Sequence, residues 1–230
     1  MRVGIVTFPG SNCDYDAYHA VVDQLGEHGE YIWHKESSLG GVDVVVLPGG
    51  FSYGDYLRCG AIARFSPIMR AVAEHATRGA PVLAICNGFQ IACEAGLLPG
   101  ALLRNASLKY VCEWRTLRVE STDSPFTGRY AVGDLVRVPI AHGEGRYVAA
   151  SETLARLEGE DLVAFRYVDE RGTPGDDGNP NGSMHHIAGI LSERRNVLGM
   201  MPHPERAVDS LVGGRDGLRV FESMLAAVAA

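Results

Sequence analysis

The sequence lacks two features that would assign it to a membrane or to nucleic acid. No apolar run approaches the roughly 18 residues needed to span a bilayer. No basic cluster interrupts a formal net charge of −7, from 21 basic and 28 acidic residues, which argues against a nucleic-acid partner. An apolar strand pattern begins at Met1 and leaves no room for a signal peptide, so we expect a cytoplasmic protein.

Paired cysteines and nucleotide-binding glycine patterns are also missing. The five cysteines are odd in number and show no C-x-x-C spacing, so we expect reduced thiols, no disulfide framework and no metal site. Neither G-x-G-x-x-G nor G-x-x-x-x-G-K-[ST] occurs, which argues against a nucleotide cradle in this chain. The cysteines are Cys13, Cys59, Cys86, Cys93 and Cys112.

What the sequence does contain is an alternation of strand and helix patterns in its first 100 residues. Such alternation predicts an α/β fold, a doubly wound and mostly parallel central sheet with helices on both faces and ligand sites at the carboxyl ends of its strands. The predicted strands are residues 2–8, 31–34, 42–47 and the strand before Cys86; the predicted helices are 15–28, 61–78 and the one ending at Gly96.

The second half of the chain has a different pattern. Residues 116–120, 135–141 and 162–168 alternate apolar with polar residues as antiparallel strands do, which predicts a mixed sheet or an accessory antiparallel sheet. Residues 171–183 are rich in Gly, Pro, Asp and Asn and predict a surface loop. Strands at 187–191 and 197–201 and a helix at 217–229 follow. Because no linker is evident, we expect one domain over residues 1–230.

Cys86 lies where the pattern predicts a sharp turn between a buried strand and a helix. Val82, Leu83 and Ile85 form the apolar strand, and Gly88 supplies backbone freedom just after the turn. A helix N-terminus favours the thiolate, the form that attacks carbonyl carbons. The alternative is that Cys86 is simply a buried core cysteine, because free cysteine is among the most buried residue types.

The segment from Pro202 to Glu205 offers a base for that nucleophile. Proline disfavours helical backbone in the residue before it, so His203 is expected to be extended. Residues two apart in an extended segment share a face, which lets Glu205 orient the His203 ring. Cys86, His203 and Glu205 then form a nucleophile, base and orienting acid. The alternative is an ordinary loop histidine beside a solvated carboxylate.

Backbone amides near Cys86 are candidates to bind an oxyanion. The glycine-rich loop at residues 47–55 and the Asn87 amide can donate to the charge that develops on an attacked carbonyl. Cys13 also follows a strand and opens a helix, but no base is assignable to it from the sequence, so it ranks below Cys86. His185 and His186 lack spaced partner ligands, so we expect no metal there.

Several of these strings are shared with a known family. Cys86, Gly88 and Gln90 form C-x-G-x-Q, and Pro202 to Glu205 form P-H-P-E, so the chain resembles class I, or triad, glutamine amidotransferases. Longer strings at 3–14, 48–58, 86–90 and 179–183 resemble the glutaminase subunits of phosphoribosylformylglycinamidine synthases. The resemblance spans nearly the whole chain. One departure is Ala84, where many such elbows have glycine.

The resemblance implies a flavodoxin-like amidotransferase fold and a role in purine biosynthesis. The subunit would hydrolyse glutamine and pass ammonia to a large ATP-using synthetase subunit, with a small accessory subunit in the complex. Cofactors are expected to be absent from this chain, with ATP and Mg²⁺ on the partner. Cys86 would form the thioester, His203 move protons and Glu205 orient His203; Gly50 and Asn87 would hold the oxyanion, and Gln90 and the 142–146 loop, beginning at His142, would contact substrate.

Two rival functions stay open at this point. One is a stand-alone hydrolase or peptidase-like member of the same fold that acts without a synthetase. The other is a binding module that keeps the fold without catalysis. The complete set of Cys86, His203 and Glu205 argues against the binding module, and the longer strings argue against the stand-alone hydrolase.

Overall fold

A computed structural model describes residues 1–229. It contains eleven strands, which are β1 (Arg2–Thr7), β2 (His28–Trp33), β3 (Val44–Leu47), β4 (Val82–Ile85), β5 (Ala101–Leu103), β6 (Val111–Val119), β7 (Leu135–His142), β8 (Arg146–Val148), β9 (Val163–Val168), β10 (Ile187–Leu191) and β11 (Val197–Met200). The α-helices are α1 (Asp14–His19), α2 (Ile68–Thr77), α3 (Asn87–Glu94), α4 (Ser151–Gly159) and α5 (Leu218–Ala229).

Nine strands form one sheet in the order β2-β1-β3-β4-β11-β10-β9-β6-β7. The first five strands in this order pair in parallel. Every residue of β3 and β4 is buried, as expected for parallel strands covered on both faces. The carboxyl ends of β1, β3, β4 and β11 therefore lie side by side along one edge of the sheet.

The remaining four strands of the large sheet pair antiparallel. They continue the parallel half, and a separate two-stranded antiparallel sheet joins β5 to β8. The strand directions alternate from β11 through β10, β9 and β6 to β7, so β7 ends at the same edge as β11. The predicted α/β fold class is confirmed, and most of its antiparallel strands extend the main sheet.

Two predicted helices have wrong boundaries. The helix predicted over residues 15–28 covers α1 and one π-helical segment, Ala20–Gln24, and stops before Gly26, which has φ +70°. His28 begins β2 because it pairs in parallel with Arg2. The helix predicted over residues 61–78 is broken by Ser66, which is extended because Pro67 follows it, so α2 begins only at Ile68.

The predicted loop at 171–183 contains no helix or strand, and its two ends differ in burial. Arg171 and Asp176 are exposed, whereas Asn181 and Ser183 are 1% and 4% exposed. The end of this loop is therefore part of the interior. Among residues 1–229, no helix has both the length and the apolar character to cross a membrane.

Candidate active site

Adjacent parallel strands bring Cys86 and His203 together across 117 positions of sequence. Ile85 of β4 is paired with Met200 of β11, and the Cys86 N–H donates to the Met200 carbonyl at 2.8 Å. Both strands end at this register, so Cys86 and the segment carrying His203 leave the same edge of the sheet. The two side chains line one cavity of about 50 Å³.

The backbone at Cys86 has an uncommon conformation. Its φ and ψ are +50° and −105°, although it is not glycine, and α3 begins at the next residue. A non-glycine residue at such angles costs about 1–3 kcal/mol and persists only where its surroundings enforce it, most often at functional sites. Cys86 is 5% exposed and lines the cavity, so the turn places its thiol there and away from the open surface.

Gly88 lies within α3 and has no positive φ, so the backbone freedom expected of it is not what the turn needs. Glycine is needed there because α3 approaches β3 too closely for a side chain. A Cβ atom at Gly88 would lie 2.0 Å from the Leu47 carbonyl oxygen, which is backbone and has no room to move. We expect Gly88→Ala to lower the free energy of unfolding by about 2–4 kcal/mol, measured by urea denaturation.

Gly159 supplies the matched control for that variant. It lies at the end of α4, and a Cβ atom there meets nothing within 4 Å. Gly159→Ala should change stability by no more than about 1 kcal/mol, in the stabilising direction, because alanine favours helix. Equal stability of the two variants would contradict the close approach of α3 to β3.

His203 and Glu205 form a buried pair. His203 Nδ1 lies 2.5 Å from Glu205 Oε1, and the two residues are 1% and 2% exposed. Burial by itself lowers the pKa of His203, but the charge of Glu205, then of Cys86, outweighs burial and raises the pKa well above 6.5. The arrangement therefore stabilises an imidazolium, with Nε2 left without a hydrogen-bond partner in the described residues.

Two backbone amides beside Cys86 are free to bind an oxyanion. Asn87 is the first residue of α3, and Gly50 follows β3, the neighbour of β4 in the sheet. Within residues 1–229 neither N–H group donates to another group. The Asn87 side chain accepts from the Ser52 N–H at 3.2 Å, which joins the Gly50 loop to α3. These amides can stabilise negative charge on a carbonyl attacked by Cys86.

Gln90 and His142 both line a second cavity of about 240 Å³ that also contacts Cys86. Gln90 Nε2 donates to the Glu144 carbonyl at 2.6 Å, and its Oε1 accepts from Asn87 Nδ2 at 2.9 Å. Gln90 therefore fixes the 142–146 loop to α3. Burial lowers the pKa of His142 to about 4, so its ring is neutral. Its Nδ1 lies 3.1 Å from Asn105 Oδ1, which makes Nδ1 the donor.

The sequence matches a known protein family over most of its length. The model of the CobB/CobQ-like glutamine amidotransferase domain matches residues 1–214. The chain belongs to this family of glutamine amidotransferases.

Full-length relatives of this amidotransferase carry a more specific name. "Phosphoribosylformylglycinamidine synthase subunit PurQ" of Salinibacter ruber is 57% identical over 224 residues, covering 97% of this chain and 95% of the relative. The protein of the same name from Thermomicrobium roseum is 58% identical over 225 residues, covering 98% and 95%. In the solved "Structure of PurLQS from Thermotoga maritima", one chain superposes with TM-score 0.87 at 46% identity, covering 99% of this chain and 98% of that one.

The amidotransferase site contains a second thiol that the sequence did not connect to His203. Cys13 follows β1, and its Sγ, a ring nitrogen of His203 and a carboxylate oxygen of Glu205 all lie within 4.8 Å of one another. Arg206 Nη2 donates to Cys13 Sγ at 3.0 Å. Of these two thiols, Cys86 lines the larger cavity as well and directly precedes the free Asn87 amide, whereas burial raises the pKa of Cys13. Cys86 is therefore the better-placed nucleophile.

Three buried residues that sequence reasoning missed support the 142–146 loop. Asn105 Oδ1 accepts from the Gly145 N–H at 3.0 Å, and Asn181 Nδ2 donates to the Gly145 carbonyl at 2.9 Å. The Ser183 hydroxyl accepts from the Tyr147 N–H at 3.0 Å. Asn181 and Ser183 lie in the string at 179–183 used for the family resemblance, which was the one signal that could have marked them.

Proposed function

We propose that this chain is the glutaminase subunit of a phosphoribosylformylglycinamidine synthase. It hydrolyses glutamine to glutamate and ammonia, and the ammonia passes to an ATP-using synthetase subunit that makes the amidine in purine biosynthesis. The observation that carries this proposal is the meeting of Cys86, His203 and Glu205 at one edge of the sheet, beside two unused amides. The PurQ names of full-length relatives support the choice of synthase.

The geometry supports the following role for each residue. His203 already carries the proton as an imidazolium, and Cys86 Sγ attacks the side-chain carboxamide carbon of glutamine. The Gly50 and Asn87 amides hold the resulting oxyanion. Collapse breaks the C–N bond, and His203 returns the proton to the departing nitrogen, which leaves as ammonia. Water then attacks the thioester and gives a proton to His203, which becomes the imidazolium again, and breakage of the C–S bond releases glutamate and frees Cys86 Sγ.

This chemistry takes place in one subunit of a larger synthase. The chain acts as a single domain over residues 1–230 and needs no cofactor or metal of its own. ATP and Mg²⁺ bind the large partner subunit, a small accessory subunit completes the synthase, and the assembly works in the cytoplasm. The net charge of −7 supports the absence of a nucleic-acid partner.

Ammonia release from glutamine, measured with and without the synthetase subunit, tests this function. We expect the complex to release ammonia from glutamine and to use that ammonia to form the amidine. Release at one rate in both conditions, with no amidine formed, would identify a stand-alone hydrolase. If no ammonia is released in either condition, the chain is a binding module.

We also expect the isolated subunit to hydrolyse glutamine slowly. The loop after Gly50 is exposed at Phe51, Tyr56 and Leu57, and Tyr53 and Asp55 have φ of +55° and +51°. A partner that docks on this loop can shift the adjacent oxyanion amide into its working position. The synthetase subunit should raise kcat/KM for glutamine by about 5- to 150-fold, the usual range of coupling between sites. Full-speed hydrolysis by the free subunit would contradict this expectation.

A further inference from the structure

The larger cavity beside Cys86 has an acidic wall that the hydrolysis steps do not use. Asp55 and Glu144 line this cavity together with Cys86. They come from different loops, since Asp55 follows β3 and Glu144 follows β7. Neither carboxylate belongs to the His203 and Glu205 pair, so their place in the cavity calls for a separate explanation.

The Cys59 thiol is close enough to both carboxylates for their charges to affect it. Cys59 is 7% exposed and lines the same cavity. Burial first, and then the Asp55 and Glu144 carboxylates, raise the pKa of Cys59, so it remains a neutral thiol beside them. A single weak S–H donor leaves most of the acceptor capacity of two carboxylates unused.

Two acceptors in the cavity lining are buried without any partner in the described chain. They are Asp55 Oδ1 and His142 Nε2. His142 is 3% exposed, and its Nδ1–H is committed to Asn105, so Nε2 carries a lone pair. Burial also raises the pKa of Asp55. Unpaired buried acceptors are costly, and a ligand that donates hydrogen bonds would satisfy them.

A single cation lies at the outer rim of this acidic wall. Arg104 Nε is 3.6 Å from Glu144 Oε1, and the Arg104 side chain is 75% exposed. The cavity therefore presents, in addition to the nucleophile, two carboxylates and one guanidinium. An α-amino acid with an uncharged side chain carries one ammonium and one carboxylate, which are complementary to these groups.

We propose that Asp55 and Glu144 bind the α-ammonium group of the substrate and that Arg104 binds its α-carboxylate. This inference rests on the proposed function, because it assumes that the carboxamide of the same molecule reaches Cys86. With these contacts the site is selective for a carboxamide carried by an α-amino acid. Simple amides bind poorly because they lack the ammonium group that the acidic wall binds.

Steady-state kinetics of the reconstituted complex test the proposal. Asp55→Asn keeps the shape of the side chain and removes its charge. We expect KM for glutamine to rise about 10- to 100-fold, the worth of a hydrogen bond to a charged group, with kcat changed by less than about threefold. For 4-carbamoylbutanoate, which is glutamine without its amino group, the variant should lose much less. Glu144→Gln, on the other loop, should shift KM in the same direction.

The controls separate binding from folding and from the proposed function. Asp176→Asn changes an exposed carboxylate outside the cavity and should leave KM unaltered. Synthesis driven by ammonium salts should be unaltered in every variant, which shows that the complex is assembled. An unchanged KM for both Asp55→Asn and Glu144→Gln, or a fall in kcat alone, overturns this inference while glutamine hydrolysis stands. A wild-type complex that releases no ammonia from glutamine overturns the proposed function and this inference together.

Discussion

Replacing Cys86 by alanine should abolish glutamine-dependent amidine synthesis by the complex, while synthesis from added ammonium salts continues. Among the described residues, Cys86 is the thiol that lines both cavities and directly precedes the free Asn87 amide, so we expect the thioester to form there. We expect kcat for ammonia release to fall by at least about 10⁴-fold, as when other covalent nucleophiles are removed. The measurement is ammonia release and amidine formation by the reconstituted complex.

Two further measurements make this prediction specific to Cys86. Cys112→Ala removes an exposed thiol and should leave both activities unchanged. Treatment with diazo-oxo-norleucine, a glutamine-like electrophile, followed by mass spectrometry should label Cys86. Cys13 is the informative alternative, because its thiol also lies close to His203. Labelling at Cys13, or glutamine-dependent turnover by Cys86→Ala, would show that the nucleophile has been misassigned.

The parts of this site that could be predicted from the sequence are those whose conformation depends on neighbouring residues in the chain. The apolar strand, Cys86 and Gly88 together encode a turn within seven residues. The prolines around His203 keep that residue out of helical backbone. The extended segment expected through Glu205 is wrong, because Pro204–Arg206 form a 3-10 helical turn that brings the Glu205 carboxylate to the His203 ring. The fold class follows from the local alternation of strands and helices. The pairing of Ile85 with Met200, which joins these two segments, depends on strand order and has no local signal.

The parts that could not be predicted depend on contacts between distant segments. Cys13 lies beside His203 because β1 and β11 both end at the edge that β3 and β4 share, and the sequence alone offered Cys13 no base. Asn181 lies in a stretch whose composition indicates a surface loop, yet its side chain is buried against Gly145. The predicted helix boundaries were wrong at two places. His28 pairs with β1 as part of a strand, and Ser66 is extended, although the local periodicity favoured helix at both.

Glu205→Gln should leave the shape of the site intact and lower kcat/KM for glutamine by about 10²–10⁴-fold, as for other orienting carboxylates. In the wild type, Glu205 keeps the pKa of His203 well above 6.5 despite burial. Without that charge, burial dominates, so His203 loses its proton at lower pH. The imidazolium that protonates the departing ammonia is then depleted, and the basic limb of the pH profile should move to lower pH.

Stability should respond to pH with the same sign. A histidine whose pKa is raised in the folded state contributes stability that is fully present below about pH 6.5 and declines as pH rises toward the folded-state pKa. Glu205→Gln removes this contribution, so urea unfolding should show a larger loss of stability at pH 6 than at pH 9. Glu170→Gln, at an exposed position, should alter neither profile. If Glu205→Gln lowers the rate without moving the basic limb, Glu205 positions the ring without setting its charge, and the proton-transfer role assigned to the pair must be revised.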